Sequence, residues 1–203
     1  VRSTRTVTVD RQTPIQAALQ VLHQLIGPLL GHRPLMAVAH RIVHGGTLYQ
    51  QPVELTPGIL AELESLNSLA PLHQPHNLAG ARAFMAAFPD IPQIGCFDTS
   101  FHRTADPLET RFALPDALYQ QGVRRYGFHG LSYDYVCGRL GQRSPRARQR
   151  LLMAHLGNGS SLCAATQGRS VATTMGFSAL DGLMMGTRCG ACLLYTSDAA
   201  DDL

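Results

Sequence analysis

The sequence predicts an α/β fold, and three observations carry the prediction. Short apolar runs alternate with helical periodicities along the first half of the chain. The functional polar residues cluster where those runs end. A composition of 45% hydrophobic and 15% charged residues over 203 positions supplies enough apolar side chains for a core, which excludes a disordered chain.

In chain order, Thr13 and Pro14 read as an N-cap and first-turn proline. Ile15, Leu19, Leu22 and Ile26 then recur at helical spacing until Gly27-Pro28 stops the run. "LMAVAHRIV" (35–43) reads as a buried strand ending in the turn His44-Gly45-Gly46. A second helix opens at Thr56-Pro57 with Ile59, Leu63 and Leu66 on one face. A third follows Pro75 with Leu78, Ala81, Met85 and Phe88 in register. "PQIGCF" (92–97) is strand-like and runs into Asp98-Thr99-Ser100.

From Phe101 to about Tyr126 the chain reads as irregular. Ser132 then caps a short helix presenting Tyr133, Val136 and Leu140. "RSPRARQR" (143–150) is expected to be a basic surface loop. Behind it, "LLMAHL", "SLCAA" and "SVATTM" form an antiparallel meander, which suggests a second domain.

Several function classes are disfavoured. A net charge of +3 and sparse aromatics argue against a nucleic-acid partner, and no apolar run approaches a membrane span, so neither partner is expected. Five scattered cysteines fit a reduced, cytoplasmic protein. His40 and His44 share a zinc-like spacing, but no third ligand is evident.

The candidate chemistry is cationic. Arg41 lies inside an apolar strand, so it either meets a buried carboxylate or faces an anion. His73, in "APLHQPHN", is either a helix-start hydrogen bonder or a site residue. Asp98, at a strand end, either caps the next turn or acts in a site. His129 and Arg188 stand beside glycines. Gly157-Asn158-Gly159, behind His155 and Leu156, is either a plain hairpin or a phosphate loop. Arginines and histidines with few carboxylates suit carboxylate and phosphate ligands.

"HRIVHGG", "PLHQPHN", "FDTSFH", "YGFHGLSY", "HLGNGSS" and "TTMGFSALDGLMMGTRCG" follow one another in the order of the acetate kinase motifs, and the chain resembles that family over most of its length. The resemblance implies an actin-like, sugar-kinase-like ATPase fold with ribonuclease H-like domains, incomplete in this chain. It implies residues 1–102 in the first α/β domain, 103–191 in the start of the second, and 192–203 as a non-native tail. It implies transfer of the ATP γ-phosphoryl group to acetate with Mg2+, in a full-length homodimer. Propionate or butyrate kinase and a non-catalytic nucleotide-binding module are the alternatives.

By the same resemblance, Arg41 binds the substrate carboxylate, with Val43, Leu72 and Phe128 around its methyl group and His73 as a further contact. His129 and Arg188 stabilise the transferring phosphoryl group. His155, Leu156, Gly157, Asn158 and Gly159 hold nucleotide phosphates. Asp98 matches the family's essential aspartate. Acetate is already ionised at pH 7, so orienting Arg41 or holding magnesium suits Asp98 at least as well as acid/base work. Ala179 replaces a proline common among relatives. The family's magnesium ligands fall outside this chain. The match is expected to stop near Ala191, where "CLLYTSDAADDL" reads as translated adapter. The chain is therefore expected to be an internal fragment with little activity of its own.

Overall fold

The computed structural model describes residues 14–192. Thr13, expected as a cap, and positions 193–203 of the expected tail lie outside the described residues. Helix α1 (Pro14–Leu30) continues past Gly27-Pro28, contrary to the sequence expectation. Proline forfeits a single backbone bond in the final turn. The stop comes instead at Gly31, which adopts φ 57, while the Arg33 side chain donates to the carbonyls of Leu29 and Leu30.

The first sheet has the order β1-β3-β2, from β1 (Val38–Ile42), β2 (Val53–Glu54) and β3 (Gln93–Phe97). Strands β1 and β3 are parallel, and β2 is antiparallel to β3. β1 is shorter than the predicted 35–43 run because its ladder begins where Val38 N–H donates to the Pro92 carbonyl. Its side chains alternate between two faces, and Ala39 and Arg41 lie on the open one, exposed rather than buried.

Two helices, α2 (Pro57–Glu64) and α3 (Gln74–Ala87), make the crossover between β1 and β3. Thr56 caps α2 as its sequence predicts, accepting from Ile59 N–H at 3.2 Å. Leu60 and Leu63 from α2, and Leu78 and Ala81 from α3, close on Ile42, Leu55 and Phe97 to form the first core. Each of the larger side chains contributes about 1.5–3 kcal/mol by leaving water.

The stretch expected to be irregular contains a 3-10 turn (Ser100–Thr104) and two short helices, α4 (Pro107–Thr110) and α5 (Asp116–Gln120). They are too short for any periodicity to show. Helix α6 (Gly130–Gly141) starts two residues before the expected cap, with His129 at its N-cap. Ser132 is spent elsewhere, on His155.

The second sheet is the expected meander, β4 (Arg150–Leu156), β5 (Ser160–Thr166) and β6 (Arg169–Thr173), all antiparallel. Met153, Cys163 and Ala165 on its inner face pack with Tyr133 of α6. The preceding "RSPRARQR" is largely exposed, as expected, although it folds as a 3-10 turn that buries Ala147. Cys96, Cys137, Cys163 and Cys189 carry no disulfide. No helix among the described residues is long and apolar enough to cross a membrane.

Candidate active site

The ends of β1 and β3 bring Arg41 and Asp98 together. The guanidinium donates through Nε to Oδ1 at 3.2 Å and Oδ2 at 3.1 Å, and through Nη2 to Oδ2 at 2.6 Å. The Arg41 side chain keeps 66% of its surface exposed, whereas that of Asp98 keeps 2%. Arg41 therefore meets both sequence alternatives: it has a buried carboxylate partner and still faces outward. The Asp98 hydrogen bond raises the Arg41 pKa, so the guanidinium is a permanent cation. Both Asp98 oxygens are committed to holding it.

The close approach of β3 and α6 places the next group. Gly130 N–H donates to the Asp98 carbonyl at 2.8 Å, and a Cβ on Gly130 would lie 2.3 Å from that same oxygen. Only glycine allows the contact. Its neighbour His129 is forced to φ 59, a conformation that costs a non-glycine residue energy and is found where a side chain must be aimed.

The His129 ring stacks on His155 at 4.0 Å and 19°. Its Nδ1 lies 2.8 Å from Ser161 Oγ, while His155 Nδ1 lies 3.0 Å from Ser132 Oγ. Burial, and then the charges of His155, Arg41, Arg188 and His102, push the His129 pKa down to about 4. Arg41 and Arg188 thus act on one imidazole from two different segments of the chain.

The glycine loop joins β4 to β5 as a tight hairpin, with Leu156 paired to Ser160 and Gly157 N–H bonded to Gly159 O at 3.0 Å. It is also open: Leu156, Gly157 and Asn158 are exposed. A Cβ on Gly159 would sit 2.7 Å from Arg188 Nη2 and 3.0 Å from His129 Nε2. The loop backbone is therefore the floor on which these two donors converge.

Arg188 is parked on backbone carbonyls, donating to Ala179 O at 2.7 Å and to Asn158 O at 3.5 Å. Asp181 braces this wall by accepting from Phe177 N–H at 2.9 Å. Arg188 and Asn158 line a cleft of about 430 Å³ together with Leu72, His73, Ala179 and Thr187. His73 is the N-cap residue of α3 yet makes no side-chain cap bond, so its ring is not committed to starting the helix.

Val43 and Phe128 are buried in one apolar cluster with Ala70, Tyr126, Met175 and Met185, and Ala179 packs against it. Leu72 is not brought to that cluster. It is 75% exposed and lies on the cleft instead. His40 and His44 are engaged separately: His40 Nε2 bonds Gln93 Oε1 at 2.8 Å, and His44 Nδ1 accepts from Gly46 N–H at 2.9 Å.

Four supporting residues escaped the sequence reading. Asn77 Oδ1 accepts from Val43 N–H at 3.0 Å, and Gln74 Oε1 from His44 N–H at 3.2 Å. Their spacing of three on the first turn of α3 was the available signal. Ser161 and His102 had none. His102 Nε2–H donates to the Phe128 carbonyl at 2.9 Å, which leaves Nδ1 to accept from Ser170 at 2.9 Å.

The donor-rich floor fits a phosphoryl group and a carboxylate. Magnesium fits poorly: no three His, Cys, Asp or Glu residues group together among the described residues, and Asp98 is occupied by Arg41.

Burial makes this region acid-sensitive. It pushes His44 and His102, both almost fully buried, down to about 4, as it does His129. The folded state keeps these rings neutral while the unfolded chain protonates them below about 6.5. Stability is therefore expected to be flat above pH 6.5, to fall steadily toward pH 4, and to level off below. Each pKa unit at a fully buried ring is worth about 1.4 kcal/mol. Urea denaturation between pH 7.5 and 4 checks this, and a constant midpoint across that window refutes it.

The Acetokinase family model matches residues 2–196, which is further than the expected stop near Ala191. The chain is 53% identical over 175 residues to acetate kinase of Rhodopseudomonas palustris, covering 85% of this chain and 44% of that protein. It is 47% identical to acetate kinase of Deinococcus radiodurans over 84% of this chain and 44% of that protein. Among solved structures, acetate kinase of Porphyromonas gingivalis superposes with TM-score 0.79 at 37% identity, over 89% of this chain and 47% of that one. A propionate kinase of Francisella tularensis gives 0.83 at 33% identity, over 92% and 50%. The chain thus spans about half the length of the relatives it matches, and it shares their actin-like ATPase fold. On this match along nearly its whole length, the chain belongs to the Acetokinase family.

Proposed function

We propose that this chain is the substrate-side half of a kinase that moves the γ-phosphoryl group of ATP to acetate, giving acetyl phosphate and ADP. One observation carries the reading: Arg188 and His129, from separate segments, converge over an open glycine loop, and a second arginine, Arg41, fixed by buried Asp98, acts electrostatically on the same imidazole. Residues 1–102 are assigned to the first domain and 103–191 to the start of the second, a division supported by two unconnected sheets. The cytoplasm is the proposed location, in keeping with the unbridged Cys96, Cys137, Cys163 and Cys189.

In this scheme Arg41, oriented by Asp98, holds the acetate carboxylate. A carboxylate oxygen forms a bond to the γ-phosphorus as the bond to the β,γ-bridging oxygen breaks, and ADP departs with that electron pair. No proton need leave acetate, which relieves Asp98 of an acid/base task. His129 Nε2 and Arg188 meet the charge gathering on the equatorial oxygens. The loop 155–159 offers backbone N–H groups to the nucleotide phosphates. Mg2+ would neutralise phosphate charge, with ligands supplied from outside this chain.

Val43 and Phe128, with Ala179 packed beside them, are the proposed wall around the acyl methyl group. Such a wall discriminates one methylene by only about 1–3 kcal/mol. Propionate is therefore the second reading, favoured by the likeness to a propionate kinase.

The test grafts residues 35–191 into the Rhodopseudomonas palustris enzyme in place of their counterparts. ATP-dependent acyl phosphate, trapped as hydroxamate, is expected with acetate and more slowly with propionate. A folded graft that binds ATP but yields no hydroxamate from either acid overturns the reading.

A further inference from the structure

We propose that Tyr133 and Ser161 are positioning residues that lock His129 as the tautomer carrying its proton on Nε2, so that it meets the phosphoryl group as a hydrogen-bond donor. The inference deepens the phosphoryl role proposed above and rests on it for its purpose, but not for its geometry.

Two contacts give the chain of donors a direction. Ser161 Oγ lies 2.5 Å from the Tyr133 hydroxyl oxygen, and both side chains are buried. A phenol is a stronger acid than an aliphatic hydroxyl, so Tyr133 donates and Ser161 accepts. The single hydroxyl proton of Ser161 then points to its other partner, His129 Nδ1, at 2.8 Å. A nitrogen that accepts is not protonated, which puts the ring proton on Nε2.

Nε2 is the nitrogen that faces the open side, beside Gly159 and Arg188. The charged or titratable groups acting on this ring are Arg41, Arg188, His155 and His102, none of them acidic. They discourage a second proton. The ring therefore stays neutral, and its orientation has to come from Ser161 rather than from a carboxylate. A serine in a strand just after a glycine turn is otherwise an unremarkable turn residue. Here it is completely buried and touches two functional rings.

The lock also explains the spacing of the sequence. Tyr133 stands one turn after His129 on α6, and Ser161 pairs with His155 across the hairpin. Tyr133 and Ser161 thereby tie the helix to the same two strands that carry the loop.

The test is 15N–1H correlation spectroscopy of the imidazoles in the 203-residue chain labelled with 15N-histidine, near neutral pH. In the wild type, His129 is expected to show a protonated Nε2 and an Nδ1 shifted as a hydrogen-bond acceptor. Ser161→Ala should abolish the acceptor shift at Nδ1 while the backbone fingerprint is kept. Tyr133→Phe should weaken it, because Ser161 remains but loses the donor that aims it. A proton on Nδ1 in the wild type overturns the proposal, and so does an unchanged Nδ1 resonance in Ser161→Ala. If Ser161→Ala does not fold, the wild-type tautomer and Tyr133→Phe decide by the same criteria. Inorganic phosphate added to the wild type separates the two readings. A phosphate-insensitive Nε2–H with the expected tautomer removes the phosphoryl role and leaves the lock standing. A phosphate-sensitive ring with its proton on Nδ1 removes the lock alone.

Discussion

Gly130→Ala is expected to lower the unfolding free energy by about 2–3 kcal/mol, although it places a better helix former at the start of α6. Two effects compete. Alanine in place of glycine in a helix gains up to about 1 kcal/mol. Against that, the new Cβ would sit 2.3 Å from the Asp98 carbonyl oxygen and 2.9 Å from Phe101 Cβ. The first obstacle is backbone, so relief requires α6 and the end of β3 to separate, at the overpacking cost of about 1–3 kcal/mol or more. The separation would also stretch the 2.8 Å bond from Gly130 N–H to that carbonyl. The steric term wins, and the melting temperature should fall by about 5–10 °C. Gly138→Ala, in the middle of the same helix with nothing within 4 Å of its added Cβ, should move it the other way. Calorimetry of the two variants beside the wild type checks the pair, and equal shifts refute the argument.

Much of the architecture was legible because it rests on local signals. Thr56-Pro57 announced α2, and the apolar spacing of Leu78, Ala81 and Met85 announced α3. Gly157-Asn158-Gly159 between two apolar runs announced the hairpin. Where non-local packing decides, the same signals misled. Ser132 resembles a cap, but the contact between Gly130 and the Asp98 carbonyl starts α6 earlier and frees that hydroxyl for His155. Strand β2 has two residues and exists only because β3 offers it an edge.

The site was legible in its residue types and illegible in its wiring. Arg41, Asp98, His129 and Arg188 stand out because charged or glycine-flanked residues at strand ends need a reason. Nothing in the sequence distinguishes Ser161, deep and doubly bonded, from Ser160 beside it, half-exposed at the first position of β5. The choice of Leu72 as a companion of Val43 and Phe128 rested on resemblance, and packing separates it from them.

In the grafted enzyme, Arg188→Ala is expected to cut kcat by about 10²–10³-fold with little change in KM for acetate. That is the usual loss when one preorganised donor to a transition-state oxyanion is removed. The position suits the experiment better than Arg41. Removing Arg41 would leave Asp98 buried without its partner, and the cost in stability would obscure the chemistry. Arg188 gives up only two bonds to backbone carbonyls, at Ala179 and Asn158, from a half-buried side chain. Its substitution should leave the melting curve nearly in place. Arg188→Lys should recover part of the rate, because the charge returns without the planar fork that spans two oxygens. Gly159 offers an independent check. Gly159→Ala puts a methyl group 2.7 Å from Arg188 Nη2 and 3.0 Å from His129 Nε2, displacing flexible side chains rather than backbone. It should therefore lower kcat while sparing stability. A graft in which Arg188→Ala keeps kcat within about three-fold of the parent, where each tenfold is worth 1.36 kcal/mol, would remove this guanidinium from the transition state.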